Sequence, residues 1–423
     1  MTDRAARTFL GFGFGPIQSA LFLYEAWRTG RFGRFIVAEV DRKLVGAVRD
    51  AGGRCTINIA HPDRIEAVTL DGIELLDPND PPQRRRLIEA AAEATEMATA
   101  LPSVDFYDRG NEASVVGILA EALPRRARGH SAILYAAENH NHAAEVLTGH
   151  LQRRLGPEPR GQFQALNTVI GKMSGVIDDE PTRTRLGLVP LTPSTPRAVL
   201  VEAFNRILIS KVTLPGFEPA IDVFQQKEDL LPFEEAKLYG HNAIHALIGY
   251  LAHQRGLSTM AEAAGHGDLM AIARAAFLDE CGRALIQRHA DLDDSLFTPA
   301  GFTAYAEDLL ERMVNPHLND LVDRVIRDPA RKLGWDDRIY GTMRLVLEAG
   351  IQPLNLAHGA AAAVQCLVAT PKSTAVPPGV CNRAELAQLL RQLWGGAADE
   401  RADELIDLTW QAMQREQRER QFR

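Results

Sequence analysis

In the segment KLYGHNAIH, Asn242 follows Lys237 by five residues and His245 follows it by eight. On a helix of 3.6 residues per turn, these positions fall about 140° and 80° round from the lysine. All three then share one broad face with His245 in the middle, their side chains leaning toward the helix N-terminus. Such a face offers a base, a neutral hydrogen-bond donor and an orienting imidazole to one reacting carbon. A lysine snorkelling at a helix start, a buried histidine and a capped turn account for the same spacing.

A second constellation lies near the N-terminus. The strand-like RTFL runs into Gly11-Phe-Gly13-Phe-Gly15-Pro16 and then a helical pattern. Glycines let backbone N–H groups approach an anion without interference from a Cβ, and the helix behind them supplies a positive dipole. Pro16 suits a first helical turn. It also takes the place of the third glycine in the G-x-G-x-x-G fingerprint, and a plain strand-to-helix turn is the competing reading. FIVAEV ends with Glu39, at the right distance for a carboxylate that accepts both ribose hydroxyls of a dinucleotide. That carboxylate repels a 2′-phosphate and favours NAD over NADP, while Arg42 and Lys43 keep NADP open.

RDPARKL places Arg327, Arg331 and Lys332 within six positions. Arginine forks and a lysine point charge suit a phosphate monoester. A surface row paired with Asp320, Asp328, Asp336 and Asp337 suits the same residues. His140 and His142 of AENHNH, with His241 and His245 four apart on a helix, raise the question of a metal. No H-E-x-x-H accompanies them, and no metal is expected.

The first half of the chain must position the glycine turn. Short apolar runs (ARTFLGFG, RFIVAEV, RCTINIA, HSAILYAAEN, RAVLVEAF) alternate with amphipathic stretches such as IQSALFLYEAWRTG and PQRRRLIEAAAEATEMATA. This alternation predicts a mostly parallel Rossmann-like sheet with helices on both faces. IEAVTLDGIELL reads as a hairpin about Asp71-Gly72. From about Asp229 the apolar spacing turns helical throughout. The expected organisation is therefore α/β plus all-α: a dinucleotide-binding domain over residues 1–228 and a helical substrate domain over 229–423. The active site is expected in the cleft between them. The polar tail QREQRERQFR is expected to fray.

The 423 residues carry 47 basic and 55 acidic side chains, a net charge of −8. That balance argues against a nucleic-acid partner. Cys55, Cys281, Cys366 and Cys381 are widely spaced, which suits a reducing cytoplasm better than a disulfide framework. No apolar run approaches the ~20 residues that span a bilayer, and MTDRAARTFLGFG does not read as a signal peptide. A monomer or small homo-oligomer is expected.

The segment at 237–245 matches the K-x-x-x-x-N-x-x-H motif of the polyol-specific long-chain dehydrogenase/reductase family. NPHLNDLVDRVIRDPARKLGWDDRI, residues 315–339, resembles the mannitol-1-phosphate 5-dehydrogenase branch of that family, and AVLVEAFNRILISK and AENHNH resemble further family segments in the same order. The resemblance implies metal-independent hydride exchange between NAD and a polyol carbon. It implies Lys237 as general base, Asn242 and Asn139 as donors to the developing alkoxide, and His245 as the residue that orients the substrate. It favours a hexitol phosphate and its ketose phosphate, of the mannitol 1-phosphate/fructose 6-phosphate type, held by the basic cluster. An unphosphorylated polyol or hexuronate, or a silent NAD- or sugar-phosphate-binding protein on the same fold, remain the alternatives. Three positions depart from the family pattern: Pro16, the missing arginine in PIQSAL, and Ile170–Met173, which read IGKM where relatives carry V-D-R-I.

Overall fold

The computed structural model describes residues 7–127, 129–156, 162–204, 206–369 and 380–421. Asn205, within the segment AVLVEAFNRILISK, lies outside the described residues. The chain divides into two compact units, Met1–Leu231 and Pro232–Arg423.

Twelve strands are described in the first unit: β1 (Thr8–Phe12), β2 (Arg34–Ala38), β3 (Cys55–Ala60), β4 (Ile65–Leu70), β5 (Ile73–Leu76), β6 (Glu96–Thr99), β7 (Ala132–Ala136), β8 (Phe163–Val169), β9 (Ser174–Ile177), β10 (Ala198–Glu202), β11 (Leu208–Ser210) and β12 (Gln225–Lys227). Eight form one sheet in the order β12-β11-β8-β7-β6-β1-β2-β5. Every neighbouring pair in it is parallel except β8 and β11. Side chains alternate across a strand, so β1 sends Phe9 into one apolar layer and Leu10 and Phe12 into the other. Both faces are covered, which is why β1 and β7 are buried at every position and almost wholly apolar. The helical stretch after the glycine turn packs Ala20 to Leu23 into the first layer. Helices Pro81–Glu93, Val115–Ala122 and Ala143–Leu155 fill the second.

Three sequence expectations are corrected here. β3 and β10 do not join the large sheet; they pair with each other in a second sheet of order β4-β3-β10-β9. β4 and β5 do not form a hairpin. β4 pairs antiparallel with β3, while β5 pairs parallel with β2. Asp-Gly demands only a positive φ, which Gly72 has at 69°. The chain uses it to pass from the half-exposed edge strand β4 to the buried β5. Finally, the expected helix over PQRRRLIEAAAEATEMATA stops at Glu93, and Glu96–Thr99 becomes β6, paired with β1. High alanine propensity suggested continuation. Burial of Met97 and Ala98 on opposite faces of the sheet decides for strand.

The second unit is helical. Its central helix, Ala243–Gln254, is buried nearly all round. It packs against Val322–Ile326 and Leu354–Ala369. The C-terminal helix Ala402–Gln421 continues into the tail expected to fray, as far as the described residues go. Met413 is buried, and the Glu416 carboxylate accepts from Gln254 Nε2 at 3.1 Å and Gln365 Nε2 at 3.2 Å. Among the described residues no helix is long and apolar enough to cross a membrane.

Candidate functional site

In the first unit the glycine turn opens onto a cavity of about 530 Å³, within the range of small-molecule and cofactor sites. Gly13 has φ +82°, and a Cβ there would meet the Ala100 carbonyl oxygen at 2.9 Å. Gly11 faces the buried Gln18, whose amide nitrogen would lie 2.1 Å from an added Cβ. Gly15 is different: nothing of the protein lies within 4 Å of its missing Cβ. It faces open space at the mouth of the helix, where the Ser19 N–H and hydroxyl both donate to the Gly15 carbonyl at 2.9 Å.

Glu39, at the end of β2, lines the same cavity as Gly13 and Gly15. Its Oε2 accepts the Phe14 N–H at 2.8 Å, which ties the strand end to the glycine turn, and its Oε1 accepts the Asp41 N–H at 2.8 Å. A carboxylate oxygen can accept more than one hydrogen bond, so ribose hydroxyls remain acceptable partners. Arg42 is engaged elsewhere, its Nε donating to Asp77 Oδ2 at 2.9 Å. Lys43 is exposed. Glycines that admit an anion, a helix N-terminus and a strand-end carboxylate around one cavity fit a dinucleotide.

Asn139 lies exposed in the loop that follows β7. The residue before it, Glu138, is buried and accepts from Thr99 Oγ1 at 2.9 Å, from the Leu101 N–H at 2.9 Å and from the Tyr107 hydroxyl. Burial pushes the Glu138 carboxyl above its ordinary range, against the pull of these bonds. Leu101 and Ala137 line the cavity, so Glu138 fastens the Asn139 loop to the cavity wall. The His140 and His142 rings lie 6.2 Å apart, as do those of His241 and His245. Among the described residues no group of three or more His, Cys, Asp or Glu is arranged to hold a metal ion.

In the second unit, Lys237 and Asn242 belong to a π-helical turn, Ala236–Asn242, that leads into the central helix. The α-helical projection is corrected by this turn. Its i→i+5 pattern brings residues five apart, Lys237 and Asn242, onto one side. Lys237 keeps only part of its surface accessible. Loss of water lowers its pKa to about 8, with Glu234 opposing the shift and Arg338 adding to it. That is the size of shift a lysine base needs to work near neutrality.

His245 stands one turn on. Its Nε2 is 2.9 Å from Asp320 Oδ2, and Arg324 grips Oδ1 of the same carboxylate at 3.0 and 2.7 Å. Burial raises the Asp320 pKa, but the bonds and charges of His245 and Arg324 outweigh it and hold the group below the usual carboxylate range. Asp320 was read in the sequence only as a partner for the basic row; 75 residues separate it from His245, and no spacing rule reaches that far.

The three residues of the basic cluster are used differently. Arg331 is exposed and paired with Asp328 at 3.0 Å and Asp337 at 2.8 Å. The buried Lys332 amine donates to the Val325 carbonyl at 2.6 Å and to the Arg327 carbonyl. Loss of water, with Arg338 and Arg331 nearby, lowers its pKa to about 8. Arg327 is exposed, ahead of a bend at Asp328, whose φ is 61°. Arg338 escaped the sequence reading although it lies in the resembling stretch 315–339; the signal was its place six residues beyond Lys332.

Comparison with known proteins bears on this arrangement. Residues 229–392 match the family model of the mannitol dehydrogenase C-terminal domain. A mannitol-1-phosphate 5-dehydrogenase of Bacillus licheniformis is 28% identical over 337 residues, covering 78% of this chain and 80% of the relative. Among solved structures, the mannitol 2-dehydrogenase of Pseudomonas fluorescens, in ternary complex with NAD and D-mannitol, aligns with a TM-score of 0.67 at 18% identity. That alignment covers 97% of this chain and 92% of the other. A substrate-free D-sorbitol dehydrogenase aligns with a TM-score of 0.75 at 14% identity, over 97% and 94%. The likeness to these two structures is one of fold.

Proposed function

We propose that this chain, whose residues 229–392 match the mannitol dehydrogenase C-terminal domain, is a member of the mannitol dehydrogenase family and an NAD-dependent dehydrogenase interconverting a hexitol phosphate and a ketose phosphate. The observation that carries the reading is a lysine with its pKa lowered to about 8, on a π-helical turn shared with Asn242. An alcohol releases hydride only as its proton is withdrawn. Neutral amides stabilise the negative charge that develops on oxygen without a metal.

Gly13 and Gly15 would hold the dinucleotide at its pyrophosphate and Glu39 at its ribose, all three lining the cavity; Gly11, expected in the same role, instead makes room for the buried Gln18. NAD, when bound, supplies the nicotinamide carbon that exchanges hydride with the substrate. In the oxidation direction, the unprotonated amine of Lys237 takes the hydroxyl proton of the carbinol. Asn242 donates an amide N–H to the alkoxide as it forms, and Asn139 is assigned the second donation. Asp320 is a carboxylate acceptor, so in the neutral imidazole the proton sits on Nε2 of His245. Nδ1 is left as an acceptor for a neighbouring substrate hydroxyl, which fixes the orientation of the carbon chain.

The engagement of Arg331 and Lys332 within the chain favours a second reading, an unphosphorylated polyol or a hexuronate. The test is NADH oxidation with fructose 6-phosphate, fructose and hexuronates, with and without a chelator. The proposal expects the highest kcat/KM with fructose 6-phosphate and no effect of the chelator. K237A is expected to lower turnover by about 10²- to 10⁴-fold with NADH binding unchanged. Retention of more than a tenth of the rate by K237A overturns the base assignment.

A further inference from the structure

Several cations stand near the Lys237 turn, together with the Glu234 carboxylate. His241, buried on that turn, is held neutral: loss of water drives its pKa far down, and His245, Arg312, Lys237 and Arg338 act in the same sense. Arg338 recurs. It also disfavours the charged form of Lys237 and of Lys332, so its guanidinium lies within electrostatic reach of both amines.

The geometry fixes this cation in place. Its side chain is 17% exposed. Its Nε donates to Asp337 Oδ1 at 2.8 Å, and its backbone N–H reaches the same oxygen at 2.7 Å. Its carbonyl accepts the Thr342 hydroxyl at 2.6 Å. The following backbone presses on the π-helical turn: a Cβ at Gly341 would stand 2.9 Å from Tyr239 Cε1. Asp337 is shared, because its Oδ2 is taken by Arg331 at 2.8 Å, so one carboxylate faces two guanidinium groups. The terminal nitrogens of Arg338 make no hydrogen bond among the described residues, whereas Arg331 and Lys332 are bonded within the chain. A rigid, half-used guanidinium fork near the base suits a dianion carried several carbons from the reacting one.

We propose that Arg338 is the residue that selects a phosphorylated substrate, its free guanidinium edge binding the phosphate of the ketose or hexitol phosphate. The inference rests on the phosphorylated-substrate reading above and names the side chain behind it.

The test compares wild type, R338Q and R338K in NADH oxidation with fructose 6-phosphate and with fructose. A charge-assisted hydrogen-bond pair lost from the site raises KM for fructose 6-phosphate about 10- to 100-fold in R338Q. In the same variant kcat/KM for fructose is expected to fall far less than kcat/KM for fructose 6-phosphate, both read at a pH above the wild-type Lys237 pKa, since binding of the phosphate is what is removed. R338K keeps the charge without the fork and falls between. A fructose 6-phosphate KM left unchanged in R338Q overturns the role of Arg338 while the phosphate reading stands. So does an equal loss on both substrates in R338K, which keeps the charge and the bulk of the native side chain. A wild type that reduces fructose as well as fructose 6-phosphate overturns the phosphate reading itself, and the role of Arg338 with it.

Discussion

Nε2 of His245 lies 2.9 Å from Oδ2 of Asp320, and Arg324 closes on the other oxygen of that carboxylate. The imidazole therefore has one committed nitrogen and one available nitrogen. D320N removes the charge that sets this choice and lets the ring flip or change tautomer. We expect KM for the polyol substrate to rise about tenfold, with a smaller fall in kcat and no change in NADH affinity. Steady-state kinetics beside an NADH fluorescence titration separate these; an unchanged KM removes Asp320 from the site.

The same carboxylate contributes to acid stability. Burial raises its pKa, yet His245 and Arg324 leave it below the usual range. A depressed carboxylate stabilises the fold fully above its unfolded pKa of about 3.9. That contribution is lost as pH falls through the lower folded value. Thermal melts of wild type and D320N from pH 7 down to pH 3 should show the difference in Tm shrinking at the acid end.

Lys237 has the same sense of pH dependence but destabilises the fold where Asp320 stabilises it. Its folded pKa is lowered to about 8 from 10.5. Polyol oxidation should fall about tenfold per pH unit below that value, because the base must be unprotonated. Between pH 8 and 10.5 the unfolded chain binds more protons at this site, so wild-type stability rises with pH. K237M is expected to be inactive and to melt higher than wild type at pH 7, with the gain fading toward pH 10. A lower Tm at pH 7 contradicts a strained, desolvated amine.

The glycines of the turn separate folding from cofactor binding. G13A forces a Cβ against the Ala100 carbonyl at φ +82°, which should cost about 1–3 kcal/mol of stability. G15A meets open space and should leave Tm within about 1 °C of wild type. If the dinucleotide passes over Gly15, G15A still weakens NADH binding, and a calorimetric titration reads that directly.

Glu39 holds the Phe14 and Asp41 N–H groups as well as the proposed ribose. E39Q keeps the shape and one acceptor oxygen while removing the charge that repels a 2′-phosphate. NADH affinity should fall about tenfold, and the preference for NADH over NADPH should narrow. An unchanged cofactor ratio would mean that the carboxylate serves the glycine turn alone.

The candidate constellation of the second unit was legible because it is written in neighbours. Lys237, Asn242 and His245 lie within nine residues, and local spacing on a helix is a property of the chain itself. Runs such as TFLGF and AILYA were legible for a similar reason: a strand covered on both faces is largely apolar along its length. What the sequence left open depended on partners far along the chain. Asp71-Gly72 permits a hairpin, but only packing could show that β4 pairs with β3 and β5 with β2. The π-helical winding that brings Asn242 beside Lys237 has no composition signal. Neither has the pairing of His245 with Asp320, nor the contrast between the bonded Lys332 and the half-free Arg338. In each case burial and long-range hydrogen bonding choose among several states that local propensity allows at nearly equal energy.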